Sequence, residues 1–174
     1  YQAIRSHGSG TVENNIIKNI KFGKYYGWGI AAMGSTMDIY DNNFSNIGRI
    51  GVQVFGTNAG GSKVIGNTYT GKGEGDHIDN GIEVGGGAYA EISGNTITNN
   101  KGIASTDGSG STAILVTEAY GDPTSALIEN NVVENNLVGI HIGYKADTAY
   151  SNVSGNEFSN NDWHIVSDSK NENL

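Results

Sequence analysis

The octapeptide "ISGNTITN" (92–99) decides the fold, because it recurs along the chain. The pattern apolar-x-x-Asn-x-apolar-x-Asn/Gly also fits "VENNIIKN" (12–19), "IYDNNFSN" (39–46), "VIGNTYTG" (64–71), "IENNVVEN" (128–135) and "VSGNEFSN" (153–160). The aligned asparagines are Asn15, Asn42, Asn67, Asn95, Asn131 and Asn156, separated by 27, 25, 28, 36 and 25 residues. Self-similarity at this period marks a repeat architecture. A second pattern, Gly/Ala-apolar-x-apolar, sits upstream in most units: "GIAA" (29–32), "GVQV" (51–54), "GIEV" (81–84), "AILV" (113–116) and "GIHI" (139–142). Degraded copies lie at "AIRS" (3–6) and around Ile165.

Both patterns alternate with period two and are short, which is strand patterning, and no stretch carries helical periodicity. Short strands repeating about every 25 residues predict a solenoid whose coils stack strand on strand. Three apolar columns then fill it. One is Ile30, Val52, Ile82, Ile114 and Ile140; another is Val12, Ile39, Val64, Ile92, Ile128 and Val153; the third is Ile17, Phe44, Tyr69, Ile97, Val133 and Phe158. Equivalent positions sit about 4.8 Å apart along the axis. An asparagine at the same turn of every coil can bond its amide to the one above. It also tolerates the left-handed backbone that a sharp corner demands. The expected fold is all-β, a single-stranded parallel β-helix of about six coils over residues 1–166, with a polar C-terminal tail at 167–174.

The combination "GI-x-V … I-x-G-N-x-I-x-N-N" resembles the repeat of right-handed parallel β-helix proteins of the pectate-lyase-like superfamily. The resemblance spans roughly residues 3–166 and implies a right-handed solenoid. That superfamily includes pectate lyases, polygalacturonases, mannuronan C5-epimerases, phage tailspikes and cell-surface modules. Their local enzyme signatures are not found here: there is no polygalacturonase-like aspartate pair and no epimerase-like Tyr-Gly-x-Asp-Pro-His. "TDGSGS" (106–111) is too short and too isolated for a nine-residue calcium repeat.

Composition narrows the partners. A net charge of −8 with no basic run argues against nucleic acid. No apolar run approaches the length of a membrane span. Cysteine is absent, so there is no disulfide or thiolate chemistry. A cysteine-free, acidic chain rich in Asn, Gly and Thr suits an extracellular or cell-surface setting. Starting at Tyr1 without a methionine or signal sequence, it reads as a processed protein or an excised piece. Neighbouring domains of a longer chain, or end-to-end self-association, would then meet the terminal coils.

Candidate chemistry gathers on the outer face of the "GIxV" strands. Residues between the apolar positions point outward there: Arg5, Ala31, Gln53, Glu83, Leu115 and His141. Long loops flank that face at 20–28, 71–80 and 99–112 on one side and 55–62, 117–126 and 143–151 on the other. They bring Tyr25, Tyr26, Trp28, Phe55, Tyr89, Tyr120, Tyr144, Lys145 and Tyr150. Aromatic faces beside amides and carboxylates suit sugar rings. Gln53, Phe55, Tyr120, His141, Tyr144 and Lys145 are the candidate ligand contacts, and polysaccharide is the expected partner.

"KGEGDHIDNGIEVGGG" (72–87) carries the candidate catalytic groups. Glu83 with Asp76 or Asp79 could flank a glycosidic bond, and His77 with Lys72 or Tyr120 could move a proton beside a uronate. Asp76, Asp79 and Glu83 also offer oxygen ligands to calcium. The bland reading is that these are solvated side chains on a glycine-rich loop. The expected function is a polysaccharide-binding module. The alternatives are a polysaccharide lyase, epimerase or glycoside hydrolase, and a ligand-free spacer.

Overall fold

Three parallel sheets run the length of the molecule, each coil giving one short strand to each. The computed structural model describes residues 1–21, 27–145 and 147–170. The first sheet is built from Gln2–Ser6, Trp28–Met33, Ile50–Phe55, Asn80–Gly85, Thr112–Thr117, Val138–Ile142 and Trp163–Ser167, in that order. The second contains Gly10–Glu13, Met37–Tyr40, Ser62–Ile65, Tyr89–Ser93, Ser125–Glu129 and Tyr150–Ser154. The third contains Ile16–Ile20, Asn43–Ile47, Thr68–Gly73, Thr96–Asn100, Val132–Glu134 and Glu157–Ser159. Strands pair with their equivalents one coil away, which makes an all-β parallel solenoid of about six coils. Among the described residues the helical content is one turn at Thr57–Ala59, and no helix is long and apolar enough to cross a membrane.

The three expected columns are in register. Ile30 pairs with Val52, Val52 with Ile82, Ile82 with Ile114 and Ile114 with Ile140. Ile39, Val64, Ile92 and Ile128 are fully buried in the second sheet, and Phe44, Tyr69, Ile97 and Val133 are buried in the third. Burial of this kind contributes roughly 1.5–3 kcal/mol for each large side chain.

The glycine that opens four of the five "GIxV" units is required by space, and the fifth opens on the small Ala113. A Cβ on Gly29 would lie 2.9 Å from the Phe44 ring, and one on Gly51 would lie 2.4 Å from Tyr69. The large third column therefore dictates a small residue where the third sheet turns into the first. Because that glycine turns inward beside an inward isoleucine or valine, alternation breaks there. Residues three apart then share the outer face: Trp28 with Ala31, Ile50 with Gln53, Asn80 with Glu83. Trp28, Ala31 and Ile50 pack as a small apolar cluster separate from the main core, with Met33 against it.

The asparagine ladder forms as expected. Asn15, Asn42, Asn67, Asn95 and Asn131 each send a backbone N–H and a side-chain N–H to the Oδ1 of the next asparagine, at 2.8–3.1 Å. The left-handed backbone belongs to the residue before each ladder asparagine, which corrects the expectation. Asn14, Asp41, Gly66, Gly94, Asn130 and Gly155 have φ between 52° and 70°. The turn and the amide bonding are divided between neighbours, so the ladder residue keeps the backbone that aims its amide along the axis.

A second, shorter ladder runs Asn100 to Asn136 to Asn161 at the next corner, with side-chain bonds of 2.8 and 2.9 Å. In the first coils that corner holds Ile20 and Ile47 instead.

Candidate functional site

A groove lies on the outer face of the first sheet, between two walls of loops. Segments 74–79 and 101–111 form one wall, and 56–61, 118–124, 143–145 and 147–149 form the other. The floor begins with Trp28, Met33 and Ile50 and continues through Gln53, Glu83 and Leu115. Two adjoining cavities occupy it, of about 840 Å³ and 360 Å³, and Arg49, Ile78, Asp107 and Tyr120 border both.

The acidic loop residues mostly hold the walls in place. Asp79 is fully buried and turns away from the groove. Its carboxylate accepts from the Tyr69 hydroxyl and from Lys72 N–H at 2.6 Å, and its own N–H donates to Ser111 Oγ. Burial raises its pKa, and the Tyr69 hydroxyl and Lys72 N–H oppose the rise. Burial, and then the adjacent Asp79, push the Tyr69 phenol well above its ordinary value. Asp76 accepts from Ser105 N and Oγ at 2.7 Å, tying the two loops of one wall together, and these bonds lower its pKa. On the other wall Asp147 accepts from Glu118 N–H and Tyr144 N–H, while Glu118 accepts from Thr148.

Glu83 stands on the outer face but is only 3% exposed, so the free outward carboxylate read from the sequence is corrected. Gln53 and Asn80 of the same sheet bond it, and Arg49 and Tyr120 lie near enough to feel its charge. Oε1 accepts from Gln53 Nε2 and Oε2 from Asn80 Nδ2, both at 3.1 Å. Burial raises its pKa, and Asn80, Arg49 and Gln53 oppose this. Lys72 sends its ammonium to Gly48 O at 2.7 Å, and burial lowers its pKa.

The candidates therefore separate. Glu83 borders the smaller cavity, while Asp76 and His77 border the larger. Asp76, Asp79 and Glu83, considered together for calcium, do not converge, since each is engaged by a different set of donors. Among the described residues no three His, Asp or Glu side chains gather closely enough to hold a metal.

Of the ligand contacts, Gln53, Phe55, Tyr120, His141 and Tyr144 all line the groove. Phe55 and Tyr120 meet edge to face, with centroids 5.3 Å apart. Lys145 lies over the Tyr144 ring at 4.9 Å from its centroid, and His141 Nε2 is 3.0 Å from Asp168 Oδ2. Tyr89 and Tyr150 lie elsewhere, on second-sheet strands that flank Ser125. Tyr25 and Tyr26 lie outside the described residues, as do positions 171–174 of the tail.

Arg49 and Asp107 are among the groove residues that the sequence reading misses. Arg49 follows Gly48 at a short turn between the third and first sheets and borders both cavities. Its place one residue before an outward strand position was the available signal. Asp107 comes from the "TDGSGS" loop, where bonds from Ser109 lower its pKa.

Several buried polar atoms in the groove lack partners among the described residues: Arg49 Nε, Gln53 Oε1 and His77 Nε2, all on residues lining the larger cavity. Native interiors seldom leave such atoms unmatched, because each costs roughly 1–3 kcal/mol.

The sequence profile of a family described as "Right handed beta helix region" matches residues 29–173. No curated protein and no solved structure matches the chain.

Proposed function

The chain belongs to the right-handed β-helix family, and on that scaffold we propose an extracellular or cell-surface module that binds polysaccharide along the outer face of its first sheet. One observation carries the reading: Arg49, Gln53 and His77, each with a buried hydrogen-bonding atom left unmatched, are among the residues that line a cavity also bordered by Trp28, Phe55 and Tyr120. Sugar rings offer apolar C–H faces to aromatic side chains and hydroxyls to such atoms. Neighbouring coils repeat along the axis, which suits a chain-like ligand. Tyr120 is 55% exposed, so its removal should leave the scaffold intact. Tyr120→Ala is expected to weaken retention on immobilised glycans about fivefold or more. Retention equal to wild type, or no glycan retained by wild type, defeats the reading.

One observation favours a second reading, a polysaccharide-modifying enzyme. Glu83 and Asp107 border the same smaller cavity, with carboxyl pKa values moved in opposite directions. Such a split suits a proton donor and a water-activating base in a glycoside hydrolase. Product analysis decides it: turnover of an oligosaccharide that disappears in Glu83→Gln supports catalysis, and an intact oligosaccharide returns the groove to binding alone.

A further inference from the structure

We infer that the groove selects a neutral, hydroxyl-bearing glycan over a polyuronate; this rests on the glycan-binding reading and narrows it. The unmatched atoms are of opposite kinds. Arg49 Nε–H needs an acceptor, whereas Gln53 Oε1 needs a donor, because its amide Nε2 is committed to Glu83. His77 Nε2 takes either role according to its tautomer. A carboxylate only accepts, so it can complete Arg49 but not Gln53 Oε1, for which even a uronate must use a ring hydroxyl. A hydroxyl both accepts and donates, so one or two sugar hydroxyls can complete Arg49 and Gln53 together.

The charges point the same way. Arg49 and Lys72 border the larger cavity, but Asp76 and Asp107 border it too, and Glu83 lies below the adjoining one. Lys72 already donates to Gly48 O. The field of Arg49 acts on both Glu83 and Asp107, favouring their ionised forms. Asp76, Asp107 and Glu83 thus offset Arg49, Lys72 and Lys145, so the groove offers no net positive charge, in a chain of net charge −8. A polyuronate would bring a carboxylate on every residue into that field. The apolar floor of Trp28, Met33 and Ile50 has no such conflict with a neutral ring.

Titration calorimetry with the whole chain tests this. The probes are soluble gluco-, manno-, galacto- and xylo-oligosaccharides on one side, and oligogalacturonate and oligoalginate on the other, each at low and high salt. At least one neutral series should bind more tightly than either uronate, with Kd changed less than about twofold by salt. Arg49→Met should weaken that binding about tenfold. Arg49→Lys retains the charge and guards against a folding defect, which circular dichroism would reveal. It should weaken binding by a similar factor, because Nε–H is lost. Tighter, salt-sensitive uronate binding, or full rescue by Arg49→Lys, overturns the neutral selectivity while leaving glycan binding in place. No binding by any probe overturns both.

Discussion

Asn131 and Gln53 are both buried amides in the same solenoid, yet they differ in completeness. The Asn131 Oδ1 accepts from the backbone and side chain of Asn95, and its Nδ2 donates to Ile92 O and Asn156 Oδ1. Gln53 donates once to Glu83 and leaves Oε1 unmatched. The corner is closed upon itself, while the groove is left open. Buried polar groups ordinarily find partners, so the difference marks where the chain holds itself together and where it has bonding capacity to offer.

The largest expected effect lies on the closed side. Asn131→Ala removes the acceptor of two Asn95 donors and the donor to Ile92 O, and should cost about 3–5 kcal/mol in chemical denaturation. A loss below about 1 kcal/mol would mean that the ladder is ornamental and would erase the contrast. An intermediate effect comes from pH. Glu83 and Asp79 have folded-state pKa values raised by burial. The native chain therefore holds more protons than the unfolded chain between the ordinary and raised values, and their contribution makes stability fall as pH rises through that window. Asp76 and Asp107 act oppositely: their stabilisation is present above the ordinary carboxylate value and is lost as pH falls below it. Denaturation series from mildly acidic to neutral pH should show a shallower decline for Glu83→Gln than for wild type. Parallel curves would show that Glu83 ionises freely despite its burial. The smallest effect belongs to the open side. Arg49→Met removes an unmatched buried donor, so stability should stay within about 0.5 kcal/mol of wild type. A large loss would show that Arg49 serves the scaffold.

The scaffold was legible in the sequence because its rules are local and repeated. Alternation put Ile30, Val52, Ile82, Ile114 and Ile140 in one column, and the spacing of Asn15 through Asn156 aligned their amides. The groove was legible in part. Gln53 and His141 were placed beside it by the same alternation and Tyr120 by its flanking loop, but Ile50 and Asn80 were not, because the inward glycines Gly51 and Gly81 break the period. The burial of Glu83 was missed because its partner Asn80 shares the outer face only through the same break in period. Asp79 looked catalytic from its loop position. Its partner Tyr69, a member of the third core column, draws it inward instead.

The loop at 101–111 belongs to the one interval in which ladder neighbours are 36 residues apart rather than 25–28. Closure entropy grows only with the logarithm of length, so this longer excursion costs about 0.3 kcal/mol more than a 25-residue one. A wall carrying Asp107 and anchoring Asp76 can thus be lengthened, shortened or rewritten at almost no thermodynamic expense. The coil geometry is conservative, whereas the surface it displays is cheap to change.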